Sequence, residues 1–263
     1  MLKRINFLTA GESHGKGLLG IIDGIPSDLN LKKEYIDKEL KRRQKGHGRG
    51  GRMKIESDTV EIWSGVRHGK TIASPIGLIV KNKDWENWKS RMSINVPDKP
   101  PKKVTLPRPG HADLAGVEKY GFDDIRNVLE RSSARETAMR VALASVCRKL
   151  LEDLGIDIAS RVVQIHDIKD ETEIDVNIST IDINKRADES PVRCLNKNAE
   201  KDMVEVIDNA KVRGDSLGGV FEIVATGLPH GLGSYIQWDR KLQAKISSLL
   251  MSVNAFKAIE IGS

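Results

Sequence analysis

The chain has 263 residues and a mass of 29.2 kDa, which is enough to bury the core of one large domain or of two smaller ones. Hydrophobic residues make up 39% and charged residues 30%, a balance that excludes intrinsic disorder, and no apolar run approaches the roughly 18 residues of a membrane-spanning helix. The net charge of +6 suits an anionic partner but does not distinguish a phosphorylated metabolite from a nucleic acid.

The first third of the chain alternates between strand and helix patterns. Residues 1–10 are basic and then briefly apolar, a stretch too short for a signal peptide, so we expect a first strand and a cytoplasmic protein. The apolar spacing of Leu31–Gln44 predicts an exposed helix with Asn30 as a candidate N-cap. Segments rich in β-branched residues and bounded by Gly or Pro are predicted strands: Leu18–Ile25, Thr59–Val66 and Ile76–Val80.

A long irregular stretch, Asp84–Pro109, separates these elements from a strong helical pattern over Ser132–Leu154. Irregular stretches of this length in compact domains are usually functional or disordered. The remaining predicted elements are the strands Ile156–Ile168 and Val220–Leu228 and the helices Asp202–Lys211 and Arg240–Val253. Hairpin-like strand pairs interrupted by single helices predict the α+β class with antiparallel sheets.

Two segments resemble phosphate-binding motifs in their residue pattern, but the secondary structure predicted around them does not fit those motifs. Gly46–Gly51 fits the dinucleotide pattern G-x-G-x-x-G, yet it follows a predicted helix instead of a strand. Gly65–Thr71 resembles a P-loop but is one residue short and is followed by a strand pattern with Pro75, whereas a phosphate cradle needs a helix N-terminus. We therefore expect neither a Rossmann nor a P-loop site.

The basic run Arg42–Arg52 contains four glycines among its arginines and lysines. Glycines let a backbone fold around an anion, and guanidinium groups offer paired donors, so the run is a candidate anion site. A solvated flexible loop explains the same composition. RNA binding is a third interpretation, which lacks support because no aromatic residue is present to stack on bases.

Other polar residues are candidates for anion binding or for proton transfer. Arg131–Ser133 stands where the long helix is predicted to begin, so these residues either bind an anion or cap the helix. His14 and His111 both lie on glycine-flanked turns, which favours acid–base work over a purely structural role. Neither the histidines nor Cys147 and Cys194 have metal-ligand spacing, so we expect no metal site.

Taken together, short segments of this sequence resemble those of the chorismate synthase family over nearly the whole chain and in the same order. The resemblance rests on six separated segments: Gly11–Gly15 continuing through Leu18–Pro26, Arg42–Arg43 with Gly46–Arg49, Ser74–Gly77, Arg108–Asp113, Arg131–Arg140, and Val253–Ala255 ahead of Ile259–Gly262.

The resemblance implies a fold and a reaction. The fold is a β-α-β sandwich in which helices pack between antiparallel sheets, here as a single domain over residues 1–263, and family members usually assemble as homotetramers. The reaction is the anti-1,4-elimination of phosphate from 5-enolpyruvylshikimate 3-phosphate to give chorismate in the shikimate pathway. It requires reduced FMN, with NADPH as a reductant in some members. The partner is thus an anionic small molecule, with no nucleic acid or membrane involved.

The resemblance also implies roles for particular residues. Because neighbouring phosphate favours the protonated form of a histidine, we assign His14 as the acid at the leaving phosphate. His111 would lie beside the reduced flavin and supply a proton or a hydrogen bond. Arg43 and Arg49 match the family's contacts to the phosphate of substrate or NADP. The FMN-binding positions are Arg131, Ser132, Ser133, Asn254 and Ala255.

Family members continue past the segment that matches Glu260–Gly262, into a glycine-rich block, a flavin contact and an Arg-Ser-Asp motif. The sequence here ends at Ser263. We therefore expect the chain, taken alone, to have an incomplete flavin site and to be inactive. The alternative reading is a fragment that binds flavin or phosphometabolites without catalysis.

Overall fold

The computed structural model describes residues 4–50, 55–175 and 178–262. Residues 1–3 of the predicted first strand and 51–54 around the end of the basic run lie outside these described residues. The chain divides into two compact units. The first unit comprises Met1–Leu40, Ile55–Cys147 and Gly231–Ser263, and the second comprises Lys41–Lys54 and Arg148–His230.

Strands and helices are mixed along the described residues. The strands are β1 (Asn6–Ala10), β2 (Gly17–Asp23), β3 (Val60–Ile62), β4 (Val66–Arg67), β5 (Lys70–Thr71), β6 (Ile76–Lys81), β7 (Asp157–Ile165), β8 (Ile168–Lys169) and β9 (Gly219–Thr226). The helices are α1 (Lys33–Gln44), α2 (Trp85–Trp88), α3 (Asp113–Tyr120), α4 (Arg126–Ser132), α5 (Thr137–Asp153), α6 (Thr180–Glu189), α7 (Lys197–Arg213) and α8 (Leu242–Met251).

The first unit is built on an antiparallel sheet in the order β1-β2-β6-β3. Alternate side chains of β2 face the core, so that Leu18 and Ile22 are each 1% exposed. Between them lies Gly20, where an added Cβ would come within 2.5 Å of the sulfur of Met139. Glycine at this position therefore lets α5 pack closely on the sheet, and the alanines at 138 and 142 continue the same contact face.

The long helix begins later than the pattern predicts, and this changes the setting of Arg131 and Ser132. Both residues lie in the last turn of α4, so the prediction that Arg131–Ser133 opens the long helix was wrong. Ser133 is extended (φ −61°, ψ 141°) and interrupts the helical path. Its Oγ accepts from the Arg135 N–H, capping a 3₁₀ turn, Ala134–Glu136, that leads into α5.

The second unit contains an antiparallel sheet in the order β8-β7-β9. The predicted strand Ile156–Ile168 is two strands, because the chain turns at His166, whose φ is 56°. Packed near this sheet is a small apolar core of Val192, Cys194, Ala199 and Met203. The amphipathic α7 supplies Met203 and begins at Lys197, five residues earlier than predicted, because Asn196 caps its N-terminus.

Several elements were not predicted. Helices α3, α4 and α6 were missed, and α2 lies within the stretch predicted to be irregular. The strand predicted over Thr59–Val66 ends at Ile62. Helix α1 begins at Lys33, so Asn30 lies before the N-cap position, where it forms a β-bridge with Lys70.

The P-loop-like segment Gly65–Thr71 contains the β4–β5 hairpin. His68 and Gly69 form the turn with φ values of 52° and 76°. All strand pairings in the part of the chain that the structure describes are antiparallel, which confirms the predicted α+β class. No helix among the described residues is long and apolar enough to cross a membrane.

Candidate active site

His14 lies on the turn between β1 and β2 and is held by Glu130 of α4. Its Nδ1 is 3.0 Å from both carboxylate oxygens, and its backbone N–H donates to Oε2 at 2.7 Å. The Ser13 N–H donates to the Glu130 carbonyl at 2.9 Å. Four contacts from one residue therefore fix the turn and the imidazole together.

The carboxyl of Glu130 is almost completely buried. Burial alone would raise its pKa, but hydrogen bonds from the side chain and backbone of His14, together with one from Arg126, hold the pKa below its ordinary value. Glu130 is therefore ionised at neutral pH and accepts hydrogen bonds only. With Nδ1–H directed at this carboxylate, Nε2 becomes the ring nitrogen at which a proton can be exchanged.

Trp88 covers the His14 ring. The two ring centroids are 3.9 Å apart with an interplanar angle of 29°. The indole Nε1–H donates to Asp84 at 3.0 Å, which anchors the tryptophan. The guanidinium carbons of Arg126 and Arg91 lie 4.9 Å and 5.2 Å from the Trp88 ring centroid. The histidine is thus positioned by a carboxylate at Nδ1 and by an aromatic face.

A buried polar network braces the backbone of the turn. Asn82 donates from Nδ2 to the carbonyls of Glu12 and Gly15 at 3.1 Å and 2.8 Å. Its Oδ1 accepts from Arg135 Nε at 2.9 Å, and Arg135 in turn pairs with Asp58 at 2.7 Å. Since buried polar groups are costly when unpaired, this network specifies one shape of the turn.

The two segments predicted to bind FMN meet in the first unit. Asn254 Nδ2 donates to the Ser132 carbonyl at 2.8 Å. Ala255 has a φ of 69°, a left-handed conformation that costs free energy for a residue with a Cβ. Arg131 donates to the Thr9 carbonyl at 2.9 Å, and so ties the end of β1 to α4. The Ser132 hydroxyl donates to the Val128 carbonyl within α4.

His111 belongs to a separate cluster at the start of α3. Its Nδ1 contacts the buried carboxylate of Asp113, which also accepts from the Arg108 N–H at 2.9 Å. Burial would raise the pKa of Asp113, but the hydrogen bonds from Arg108 and His111 hold that pKa below its ordinary value. The Pro-Gly turn before α3 therefore presents an oriented histidine.

Arg43 and Arg49 lie in the second unit. Arg43 is in the last turn of α1, and Arg49 follows on the glycine-rich loop. That loop is attached through His47, whose N–H donates to the Pro191 carbonyl at 2.8 Å and whose ring is 2.7 Å from Asp208 of α7.

Two residues of the site, Glu130 and Trp88, were missed by the sequence analysis. Glu130 stands immediately before the Arg131–Arg140 segment, and Trp88 is one of four tryptophans in a chain with only 4% aromatic residues. Both facts are visible in the sequence, but their contact with His14 joins positions 74 and 116 residues apart and needs the fold. Within residues 4–50, 55–175 and 178–262, no group of three or more His, Cys, Asp or Glu could hold a metal ion.

Comparison with known proteins gives a consistent result. The family model for chorismate synthase matches residues 5–263. Chorismate synthase of Listeria welshimeri is 53% identical over 261 residues, covering 98% of this chain and 67% of the relative. That of Alkaliphilus metalliredigens is 54% identical over 255 residues, covering 97% and 66%. That of Enterococcus faecalis is 55% identical over 261 residues, covering 98% and 67%.

A crystal structure of chorismate synthase superposes with a TM-score of 0.82 at 43% identity, covering 100% of this chain and 70% of that chain. The chain spans about two thirds of the length of the curated relatives it matches. Sequence and fold agree over the whole of the present chain. The chain therefore belongs to the chorismate synthase family, carbon–oxygen lyases of the shikimate pathway and of aromatic amino-acid biosynthesis.

Proposed function

We propose that this chain carries the acid that assists phosphate departure when 5-enolpyruvylshikimate 3-phosphate is converted to chorismate. The observation that carries the proposal is the hydrogen bond of His14 Nδ1 to an ionised, buried Glu130. With Nδ1 held by the carboxylate, Nε2 is the ring nitrogen that can pass a proton to a phosphate oxygen.

Glu130 and Trp88 act as positioning residues in this proposal. The carboxylate fixes the tautomer, and the indole face fixes the ring plane at 3.9 Å. The elimination removes a C–O bond and a ring hydrogen without net oxidation, so the proton supplied to the leaving phosphate is balanced by the proton lost from the ring. Arg43 and Arg49 are proposed to contact phosphate groups of substrate or NADP through their planar donor forks.

Reduced FMN is the proposed cofactor, with NADPH as a reductant that can regenerate it. The residues fit a flavin in chemical type, because the Ser133 hydroxyl, which accepts from the Arg135 N–H and can still donate, and the oriented His111 ring are polar groups that can hydrogen-bond to it. When bound, reduced FMN supplies the electron-rich ring system on which the elimination depends. Asn254 supports the site by fixing the Ser132 carbonyl.

The remaining expectations follow from the family and are proposals for this chain. We propose an anionic small-molecule substrate, a cytoplasmic location and assembly as a homotetramer.

Two variants and two readouts test the roles of the histidines. In a protein that joins this chain to the C-terminal block of complete family members, we expect His14→Ala to abolish anaerobic chorismate formation while leaving the affinity for reduced FMN unchanged, and His111→Ala to weaken reduced-FMN binding. His68→Ala, which removes an exposed histidine from the β4–β5 turn, is the matched control. Loss of flavin affinity in His14→Ala together with normal affinity in His111→Ala would reverse the assignment.

A further inference from the structure

The first unit contains a cavity of about 640 Å³, lined by residues 90–91, 99 and 101–106 and by Arg126. Its volume is that of a small-molecule site. No acidic side chain is among its lining residues, whereas five cations are: Arg91, Lys99, Lys102, Lys103 and Arg126. A concave surface that carries charge of one sign concentrates counter-ions, so the cavity favours an anion.

Two of the five cations are already paired. Lys103 pairs with Asp123, and Arg126 donates to Glu130 at 3.0 Å. For Arg91, Lys99 and Lys102, no carboxylate within the described ranges lies at ion-pair distance. The cavity therefore retains three positive charges that a ligand can neutralise.

The backbone of the cavity wall is fixed to the start of α4. The Val104 N–H donates to Asp124 Oδ1 at 3.0 Å, and the Val104 carbonyl accepts from the Ile125 N–H at 2.9 Å. Pro100 and Pro101 further restrict the chain on the other side of this anchor. A preformed wall reduces the entropy that a ligand must offset on binding.

The cavity adjoins the His14 cluster through a single aromatic ring. Arg91 and Arg126 line the cavity and also lie 5.2 Å and 4.9 Å from the Trp88 centroid. The same ring stacks on His14 at 3.9 Å. An anion that draws these guanidinium groups away from the indole would therefore change the environment of Trp88.

We infer that this cavity is a second anion site that binds the phosphate group of a small molecule, separate from the contact between His14 and the leaving phosphate. Guanidinium and ammonium groups form short charge-assisted hydrogen bonds to phosphate oxygens, and the volume leaves room for a phosphate ester as well as for free phosphate. The site goes beyond the proposed function, which assigns no role to residues 90–106.

Binding is measured on the full chain without turnover, by calorimetry and by tryptophan fluorescence. The probes are inorganic phosphate and 5-enolpyruvylshikimate 3-phosphate, each against chloride at equal ionic strength. Replacing Trp63, Trp85 and Trp238 by Phe leaves Trp88 as the single reporter beside the cavity. Saturation by inorganic phosphate identifies the free anion as a ligand. Because the ester is also the substrate proposed to bind at His14, its saturation identifies the esterified phosphate as a ligand of this cavity only where the test variant below weakens it.

The test variant is Arg91→Gln/Lys102→Gln. Its matched control is Lys32→Gln/Lys38→Gln, which removes two charges from exposed positions at and just before α1 that do not line the cavity. We expect the dissociation constant for phosphate to rise about tenfold or more in the test variant and to stay unchanged in the control.

His14→Ala separates this inference from the proposed function. Phosphate binding retained in that variant supports a distinct site, even if His14 proves to have no part in turnover. Three results would each overturn the inference: no saturable binding of either probe, equal affinity in the test and control variants, or loss of binding in His14→Ala.

Discussion

At the scale of single residues, the chemistry of the site depends on a buried carboxylate that no sequence motif singles out. Glu130 receives hydrogen bonds from the ring and backbone of His14 and from Arg126. Each bond favours the ionised carboxylate, and together they outweigh the cost of burial, because the pKa is lowered. His14 and Glu130 therefore form one hydrogen-bonded pair.

Replacing Glu130 by Gln should lower kcat about 10- to 100-fold and change KM less. Gln keeps the shape but removes the charge, and a hydrogen bond to a charged group is worth about 1.5–3 kcal/mol, with about 1.4 kcal/mol for each factor of ten. Steady-state chorismate formation measures this, with the exposed Glu118→Gln on α3 as the control. Equal kcat in the two variants would show that Glu130 does not act through His14.

The same lowered pKa values predict how stability depends on pH. For a carboxyl whose pKa is depressed in the folded state, the stabilisation is present above the unfolded pKa, about 4, and is lost as pH falls through the folded pKa. Glu130 and Asp113 both have this direction of shift. Between pH 7 and pH 3, the free energy of unfolding measured in urea should fall less in Glu130→Gln and Asp113→Asn than in the unmodified chain. An equal fall of the unfolding free energy with pH in the variants and in the unmodified chain would contradict the lowered pKa of these two carboxyl groups.

At the scale of elements, the His14 turn is shaped by groups outside its own segment. Asn82, directly after β6, bonds to the carbonyls of Glu12 and Gly15, and Arg131 of α4 bonds to Thr9. The turn and the strand before it are therefore held by side chains from two other places in the sequence.

Asn82→Ala should lower the free energy of unfolding by about 1–3 kcal/mol, because it leaves buried carbonyls and the Arg135 Nε–H without their partner. Chemical denaturation measures the loss. Asn127→Ala, at an exposed position of α4, is the matched control. If both variants have the same free energy of unfolding, the hydrogen bonds of Asn82 contribute nothing to stability.

The sequence predicted elements well where hydrophobic periodicity is strong. The patterns for β2, β6 and α8 agree with the observed bounds within about two residues. Helix α6 was missed, although Ser179 caps it, because only part of one face is buried. The break between α4 and α5 was also missed, since nothing in the helical spacing marks the extended Ser133.

At the scale of the whole molecule, the order of the motifs along the chain was enough to identify the family. The residues that contact the motif side chains could be found only from the three-dimensional structure. The turns that carry His14 and His111 were predicted from their glycines, and the structure confirms both turns. The contacts of His14 with Glu130 and Trp88 are long-range pairings, which composition and periodicity do not encode. The Arg43 and Arg49 assignments stay predictions.

The most direct test of the account is a single-turnover measurement of phosphate release. A protein that joins this chain to the C-terminal block of complete family members is loaded with chemically reduced FMN under anaerobic conditions and mixed with 5-enolpyruvylshikimate 3-phosphate. We predict that His14→Ala slows release about 10²- to 10⁴-fold, the usual contribution of a general acid, while its thermal unfolding matches the unmodified protein. A folded His14→Ala protein that releases phosphate at the unmodified rate would contradict the account.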